Sequence, residues 1–381
     1  MEAFNAGVIA GKVLTEVREK YASLSTLNIM VLGKIGVGKS TLVNTMFNEK
    51  LAATGSGKPI TLTMKKYTKP NFPLAIYDTP GIELGGANAV NSIREEVINE
   101  IQRCAKSGDI NDMIHCILYC VGVPSNRFEA YESDFVRSFA GEASEYNIPV
   151  IIVLTQAYFV NDAENLKREI EKENLPICNI VPVLAEKKGD IQAYGLSTLS
   201  NVMMNALPSQ LHDTFISVQR VNLKMKQEKA HATVAAAAVA AMATGAVPIP
   251  FSDAAVLVPE QIAMLTAITV EFGLPIDKGT ITAVVSSTVG TTGATVLGKT
   301  IVSNLFKFVP GVGSVVGGVI SGSTAAALTA ALGEAYIGIL TMICEGELKQ
   351  SALGTDEGKR IMNQLFQDSL KVKRNSKGER I

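Results

Sequence analysis

Several features that mark other protein classes are scarce in this 381-residue chain. The formal net charge is −1, so overall charge gives no reason to expect a nucleic-acid partner. Only five cysteines occur, without a C-x-x-C pair, which favours a reducing cytosol and argues against a disulfide framework or a thiolate metal site. The start, MEAFNAGVIAGKVLTEVREK, lacks the basic segment and cleavage site of a signal peptide. We expect a helix there, with Phe4, Val8, Val13 and Val17 roughly on one face.

The first half of the chain alternates short apolar runs with helical segments, from Leu27 to about Leu207. The runs LNIMVLG, LAIYDTPG, IHCILYCV and PVIIVLT are continuous enough to be strands covered on both faces. This alternation predicts an α/β domain with a mostly parallel, doubly wound sheet. In TLTMKKYTKPNFPLAIYD, the Lys-Pro-Asn turn predicts a hairpin that adds one antiparallel edge strand.

The second half has a different composition, rich in alanine and glycine. Gln210–His231 is polar and is predicted to be helical. At least four further helices are expected, with breaks at Pro248–Pro250, Gly273–Pro275 and Pro310–Gly313. The predicted parts are an N-terminal helix over 1–26 that packs on the helical domain, an α/β domain over 27–207, a helical linker over 208–230, an Ala/Gly-rich helical domain over 231–350, and a C-terminal helix with a basic tail over 351–381.

The stretch GKIGVGKS, residues 33–40, has the spacing G-x-x-x-x-G-K-S of a loop that wraps phosphates. In such a loop the backbone N–H groups point at phosphate oxygens, Lys39 lies between the β- and γ-phosphates, and the Ser40 hydroxyl binds Mg²⁺. A predicted strand before it and a predicted helix after it favour this interpretation over a glycine-rich turn without a ligand. The predicted phosphate-binding residues are Gly33, Lys34, Ile35, Gly36, Val37, Gly38, Lys39, Ser40 and Thr41.

A second motif, DTPG at residues 78–81, ends an apolar strand. The carboxylate of Asp78 can hold the water shell of Mg²⁺, and the N–H of Gly81 can contact the γ-phosphate. Thr61, between the two motifs, is predicted to reach the metal through its hydroxyl. Thr63 and Thr54 are alternatives, and Thr61 could instead be an ordinary edge-strand threonine.

Together these motifs resemble those of the P-loop GTPases, in the branch with Era-like, septin-like and immunity-related GTPases, over about residues 27–207. The resemblance implies GTP or GDP and Mg²⁺ as ligands, with Gly33–Thr41 on the phosphates and with Asp78 and Gly81 in the second switch. The residues it assigns to hydrolysis are Lys39, Thr61 and Gly81, and those it assigns to the metal are Ser40, Thr61 and Asp78.

The base-binding motifs depart from the family pattern. The N/T-K-x-D motif becomes TQAY at residues 155–158, and the S-A-x motif becomes LAEK at 184–187. Tyr158 replaces the aspartate that accepts two hydrogen bonds from guanine, a contact typically worth about 1.5–3 kcal/mol. Asp162 is an alternative acceptor, and use of ATP is an alternative to GTP. The predicted base contacts are Thr155, Gln156, Ala185 and Glu186.

The machinery for hydrolysis also differs, because Ile82 occupies the place of the glutamine that orients water in Ras-type GTPases. We expect slow hydrolysis alone and faster hydrolysis on self-association through the GTPase domain, as a homodimer or higher assembly. Arg127 stands where a loop could reach a neighbour, and Arg94 is an alternative, although the sequence favours an ordinary solvated arginine for each. Gly36, where potassium-activated relatives carry asparagine, predicts no activation by potassium. A nucleotide-binding docking module with negligible hydrolysis is the alternative function.

The helical half resembles the DUF697 domain over roughly residues 230–345, through a Pro-x-Pro-x-x-Asp turn and a Pro-Gly-x-Gly turn. Two stretches without charge, Ala232–Ser252 and Phe308–Gly333, are long enough to span a bilayer, although their small residues contribute little transfer energy. A soluble bundle, a reversibly membrane-binding hairpin domain and a permanent span are all left open. Lys224, Lys226, Lys229 and the basic tail would favour an anionic membrane surface if the domain docks there, and otherwise these lysines form a solvated helix face. The expected location is the cytoplasm or the inner face of a membrane.

Overall fold

The structure is a computed structural model that describes residues 6–47, 64–79, 86–244, 259–274, 281 and 322–375. Two compact units divide the chain, one made of Tyr21–Asn222 and the other of Met1–Lys20 with Leu223–Ile381. Two predicted site residues, Thr61 and Gly81, lie outside the described residues, as do Ile82 and the alternatives Thr54 and Thr63. The predicted breaks at Pro248–Pro250 and Pro310–Gly313 lie outside them as well.

A six-stranded sheet forms the centre of the first unit. Its strands are β1 Leu27–Gly33, β2 Lys65–Lys69, β3 Phe72–Asp78, β4 Cys116–Gly122, β5 Val150–Thr155 and β6 Asn179–Pro182. The order is β2-β3-β1-β4-β5-β6. The β2–β3 pair is antiparallel and every other pair is parallel. The predicted α/β fold with one antiparallel edge strand is therefore confirmed.

Helices cover both faces of this sheet, as the continuous apolar strands require. The described helices of the unit are α2 Lys39–Met46, α3 Gly86–Lys106, α4 Ala130–Glu145, α5 Val160–Lys172, α6 Leu196–Ala206 and α7 His212–Val218. On one face, α3, α4 and α5 share a core with alternate residues of the strands. On the other, α2, α6 and α7 contact β1, β6 and β3 respectively. Strands β1, β4 and β5 are consequently buried at every position.

The polar segment predicted as helical over Gln210–His231 is interrupted. Helix α7 stops at Val218, and α8 begins only at Leu223. Between them the buried Gln219 accepts hydrogen bonds from the N–H groups of Val221 and Asn222 and donates to the Asn222 carbonyl. Because this side chain satisfies backbone groups outside a helical arrangement, the chain can leave the helix there.

The second unit is helical throughout its described part. It contains most of α1 Ala6–Ser23 together with α8 Leu223–Thr244, α9 Pro259–Phe272, α10 Gly322–Glu345 and α11 Asp356–Asn375. Helix α10 packs against α8, α9 and α11, and α8 also packs against α9. The close approach has a visible cause at Gly333, where an added Cβ would lie 2.4 Å from a methyl group of Val234.

The predicted apolar face of α1 is only partly right. Val13 and Val17 are buried, but Val8 is 56% exposed, and Ala10 is buried instead. At roughly 100° per residue, Val8 lies about 140° around the helix from Val13, whereas Ala10 and Val17 lie close to it in angle. Phe4 is outside the described residues.

One described helix segment, Ala325–Glu345, is long and apolar enough to cross a membrane by length and composition alone, with mean hydropathy 1.6. More than half of it is buried inside the structure, as in the core helix of a soluble protein. The two stretches singled out from the sequence, Ala232–Ser252 and Phe308–Gly333, lie partly outside the described residues.

The expectation that Lys226 faces a membrane is wrong. Its side chain is buried, and its ammonium donates to the carbonyls of Glu271 and Phe272 at 3.0 Å each, at the end of α9. Burial lowers the pKa of Lys226 to about 7, although Cys344 and Glu271 act in the opposite direction. This lysine caps a helix end inside the unit.

Candidate nucleotide-binding site

The phosphate loop connects β1 to α2. Its first residue, Gly33, lies very close to the backbone of β4. Gly33 has φ +138°, and a Cβ there would lie 2.3 Å from the carbonyl oxygen of Cys120. Only glycine fits this position without displacing a strand. Gly36 and Gly38 also have positive φ, and Gly38 is the residue before α2.

Lys39 folds back over the loop. Its ammonium donates to the carbonyls of Gly33 and Lys34, both at 2.9 Å. Ser40 and Thr41 follow in the first turn of α2, half-buried. The positive end of this helix and the ammonium therefore meet at one loop, which is the arrangement that binds phosphate in many proteins.

Asp78 lies at the same edge of the sheet. It is the last residue of β3 and is paired in register with Val31 of β1. The residue is almost completely buried. The hydroxyl of Thr79 donates to the Val31 carbonyl at 3.3 Å. This places an acidic side chain at the end of the strand that pairs with β1, and the phosphate loop follows β1.

The TQAY segment after β5 contacts the phosphate loop directly. The Thr155 hydroxyl lies 2.5 Å from the Val37 carbonyl oxygen and 3.1 Å from that of Val121. The side-chain amide of Gln156 donates to the Gly36 carbonyl at 2.8 Å. Two of the predicted base contacts are thus tied to the loop that is predicted to hold the phosphates.

The LAEK segment is linked to TQAY by Tyr194. Its hydroxyl donates to the Ala157 carbonyl at 2.8 Å, and its backbone pairs with Leu184. Ala185 is half-buried beside this pair, and Glu186 is exposed. The two predicted base-contact segments therefore lie side by side.

Tyr158 and Asp162 bear on the choice of base. The ring of Tyr158 lies 4.9 Å from the ammonium of Lys188, which also reaches its hydroxyl. Asp162 is exposed in the first turn of α5. The structure thus gives Tyr158 a cationic partner at the position where the resemblance implies an aspartate.

The side chain of Lys34 has a role that the sequence did not indicate. Its ammonium forms an ion pair with Glu132 of α4 at 2.8 Å and lies 5.1 Å from the centre of the Tyr131 ring. Burial alone would lower the pKa of Lys34, but the contacts with Glu132 and Tyr131 outweigh burial and raise it. A cavity of about 180 Å³ adjoins this pair.

The two candidate arginines differ in exposure. Arg127 is exposed in the loop between β4 and α4, whereas Arg94 is half-buried on α3. The exposed Arg127 therefore lies at the edge of the sheet that carries the phosphate loop, because its own loop follows β4 and the phosphate loop follows the neighbouring parallel strand β1.

These features define a class. A parallel sheet with a glycine-rich loop between its central strand and a helix, a lysine folded over that loop, and an acidic residue ending the neighbouring strand are the parts of an α/β P-loop domain. Residues 28–156 match the family model described as 50S ribosome-binding GTPase. The first unit thus contains a P-loop GTPase domain, and a helical region follows it.

Known proteins agree with this assignment. Translocase of chloroplast 34 of Arabidopsis thaliana is 30% identical over 198 residues, covering 49% of this chain and 59% of that protein. GTPase Era of Pseudomonas fluorescens is 28% identical over 190 residues, covering 48% and 56%. Septins also match. This chain spans about half the length of the curated relatives it matches.

A solved structure described as a probable GTP-binding protein engB is 18% identical. The match covers 47% of this chain and 97% of that chain, with a TM-score of 0.35. The motif-based resemblance to P-loop GTPases of the Era-like and septin-like kind is supported by the sequence relatives.

Proposed function

We propose that the chain binds GTP with Mg²⁺ and hydrolyses it to GDP and phosphate, and that the bound nucleotide switches its assembly. The arrangement of Lys39 carries the proposal. Its ammonium is held inside the phosphate loop by two carbonyls, beside a helix start and one strand away from Asp78. That arrangement stabilises the charge that develops on the β–γ bridge during phosphoryl transfer. Ser40, Thr61 and Asp78 would hold the metal.

Guanine is the proposed base, read mainly by the two adjacent segments TQAY and LAEK. Support comes from Thr155 and Gln156, whose side chains bind the carbonyls of Val37 and Gly36 and so fix the base site relative to the phosphates. Since Tyr158 cannot accept two hydrogen bonds as a carboxylate does, we expect weaker discrimination against adenine than a P-loop GTPase with the aspartate would have.

Self-association through the edge that carries the nucleotide site is the second part of the proposal. Among the described residues of Tyr21–Asn222, the large exposed hydrophobic side chains are Ile35, Tyr131, Phe159 and Val160. Ile35 follows β1, Tyr131 begins α4 after β4, and the other two follow β5. Because β1, β4 and β5 are adjacent and parallel, these side chains occur at one edge, around the phosphate loop. Such an apolar rim favours a second copy that could supply Arg127 in trans.

A docking module that binds nucleotide with negligible hydrolysis is the alternative. The specific observation in its favour is Ile82, which cannot orient the attacking water. It differs from the main proposal in expecting no rise of turnover with protein concentration.

We propose that the helical unit responds to the nucleotide state of the switch. It would be a DUF697-like domain and, in one nucleotide state, would contact an anionic membrane from the cytoplasmic side. Lys224 is exposed, as this requires, and Lys226 is not part of any such surface. Flotation with anionic liposomes in GDP and in a non-hydrolysable GTP analogue tests this part. Absence of flotation in both states would leave a soluble bundle.

Nucleotide binding is tested first with fluorescent GDP, competed by GTP, GDP and ATP. We expect GTP and GDP to compete, ATP to compete more weakly, and Lys39→Ala to bind none. Lys172→Ala, which removes an exposed lysine on α5, serves as the matched control. Competition by ATP alone would overturn the choice of base.

Hydrolysis is then measured as turnover per protomer over a wide range of protein concentration. We expect turnover to rise with concentration and the rise to be lost in Phe159→Ser/Val160→Ser, which removes two exposed apolar side chains. Turnover that is measurable but independent of concentration would contradict self-association. An absence of turnover at every concentration would favour the docking module.

A further inference from the structure

The pair Lys34–Glu132 connects the phosphate loop to α4. Lys34 occupies a variable position of G-x-x-x-x-G-K-S, where only the backbone N–H is expected to act. Here the side chain is only 15% exposed, and its ammonium lies 2.8 Å from a carboxylate that is 1% exposed. A charge as deeply buried as that of Glu132 is costly unless it is paired and hydrogen-bonded.

Glu132 is held firmly by α4 and β4. One carboxylate oxygen accepts from the Tyr119 hydroxyl at 3.1 Å, and the other accepts from the Glu129 N–H at 3.1 Å, as in a capping box. Tyr119 itself is fully buried among aromatic rings of α4. The carboxylate is therefore a fixed point, and Lys34 adapts to it.

The connection continues into the phosphate site through the backbone of Lys34. The carbonyl of Lys34 is one of the acceptors that hold the Lys39 ammonium. Side chain and carbonyl belong to the same residue, so anchoring the side chain to Glu132 restricts the positions that the Lys34 backbone, and with it this carbonyl, can take. The loop is thus tied to α4 on one side and through Gln156 to β5 on the other.

We propose that Glu132 is a positioning residue of the nucleotide site, which holds the phosphate loop in its binding conformation through Lys34 and couples that loop to α4. The proposal rests on the proposed nucleotide binding. It assigns a function to a buried acid that has no place in the phosphate, metal or base motifs. Tyr131, next to Glu132, is exposed at the same edge. Contact with a partner there would therefore change the position of Lys39 through Glu132 and Lys34.

Electrostatics and positioning predict opposite results for Glu132→Gln. Removing a negative charge near a phosphate site by itself tightens the binding of an anion. Loss of positioning instead loosens the loop and weakens binding. Glutamine keeps the volume, its carbonyl oxygen can accept from the Glu129 N–H, and its amide can donate to the Tyr119 hydroxyl oxygen, so α4 keeps its cap. The sign of the change therefore identifies the mechanism.

The test measures the affinity and dissociation rate of fluorescent GDP in four variants of the pair and in one control variant. Glu132→Gln and Lys34→Met should each speed dissociation by about tenfold, and the double variant should be little worse than either, because both break one connection. Lys34→Arg keeps the cation beside Glu132 and Tyr131 and should restore slow dissociation. Glu169→Gln, in an exposed ion pair on α5, should behave like the wild type.

Three outcomes are distinguishable. Unchanged or tighter binding in Glu132→Gln, with normal binding by the wild type, would overturn the positioning role alone. Additive losses in the double variant would overturn it as well, since the residues would then act separately. Failure of the wild type to bind any nucleotide would instead remove the proposed function. Thermal unfolding without nucleotide checks that each variant is folded.

Discussion

Replacing Gly33 with alanine is the most direct test of how the phosphate loop is built. The added Cβ would lie 2.3 Å from the carbonyl oxygen of Cys120 and 3.2 Å from its Cβ, both in β4. Real Cβ atoms do not approach backbone so closely, so β1 and β4 would have to separate. The backbone also has φ +138°, which alanine rarely adopts.

The expected loss follows from these two effects. A strained backbone conformation costs about 1–3 kcal/mol, and crowding in a packed core costs about the same. We therefore expect Gly33→Ala to lower the free energy of unfolding of the GTPase unit by about 2–6 kcal/mol. Nucleotide binding should weaken too, because the Gly33 carbonyl holds Lys39.

Native-state hydrogen exchange of peptides from β1 and β4 measures this loss without requiring that both units unfold together. Gly108→Ala is the matched control, because Gly108 has φ +66° but open space around the added Cβ. That variant should lose only about 1 kcal/mol. Equal protection of β1 and β4 in the two variants would refute the argument from crowding.

Two further predictions concern buried polar groups. Thr155→Val keeps the shape of the side chain but removes the hydroxyl that donates to the Val37 carbonyl. This change should speed GDP dissociation severalfold in stopped-flow fluorescence. An unchanged rate would mean that this hydrogen bond does not shape the site. Lys226 has a pKa of about 7 in the folded chain against 10.5 as its ordinary value. Between those pH values the unfolded chain binds more protons than the folded chain. The free energy of unfolding should therefore rise with pH by up to about 1.4 kcal/mol per pH unit. Below about pH 7 Lys226 is protonated in both states and contributes no pH dependence. Urea unfolding at several pH values should show a smaller rise in Lys226→Met, and parallel curves for the two proteins would contradict the assignment.

Much of the GTPase unit could be predicted from local sequence. Continuous apolar runs identified β1, β4 and β5, because a strand of a parallel sheet is covered on both faces. The Lys-Pro-Asn turn indicated the antiparallel edge strand β2. The phosphate loop could be recognised because its glycines, lysine and serine occur at fixed spacing within one short stretch.

Patterns of weak periodicity were less reliable. The pattern predicts Val8 on the buried face of α1, but the first half of this helix is rich in alanine, glycine and valine and offers several possible faces, and packing selects the one with Ala10, Val13 and Val17. The helix predicted over 210–231 is interrupted between Val218 and Leu223, because the buried side chain of Gln219 competes with the helix for backbone groups.

The sequence by itself determined the class of the fold and the residues of the phosphate loop, because both follow from local patterns. Tertiary structure alone decided which distant side chains complete the site. Thr155 meets Val37 across 118 residues, and Glu132 meets Lys34 only because β1 and β4 are neighbours in the sheet. Lys226 likewise resembles its exposed neighbour Lys224 in sequence and is buried by α9 in the fold. Such contacts depend on strand order and helix packing, which short-range sequence patterns do not encode.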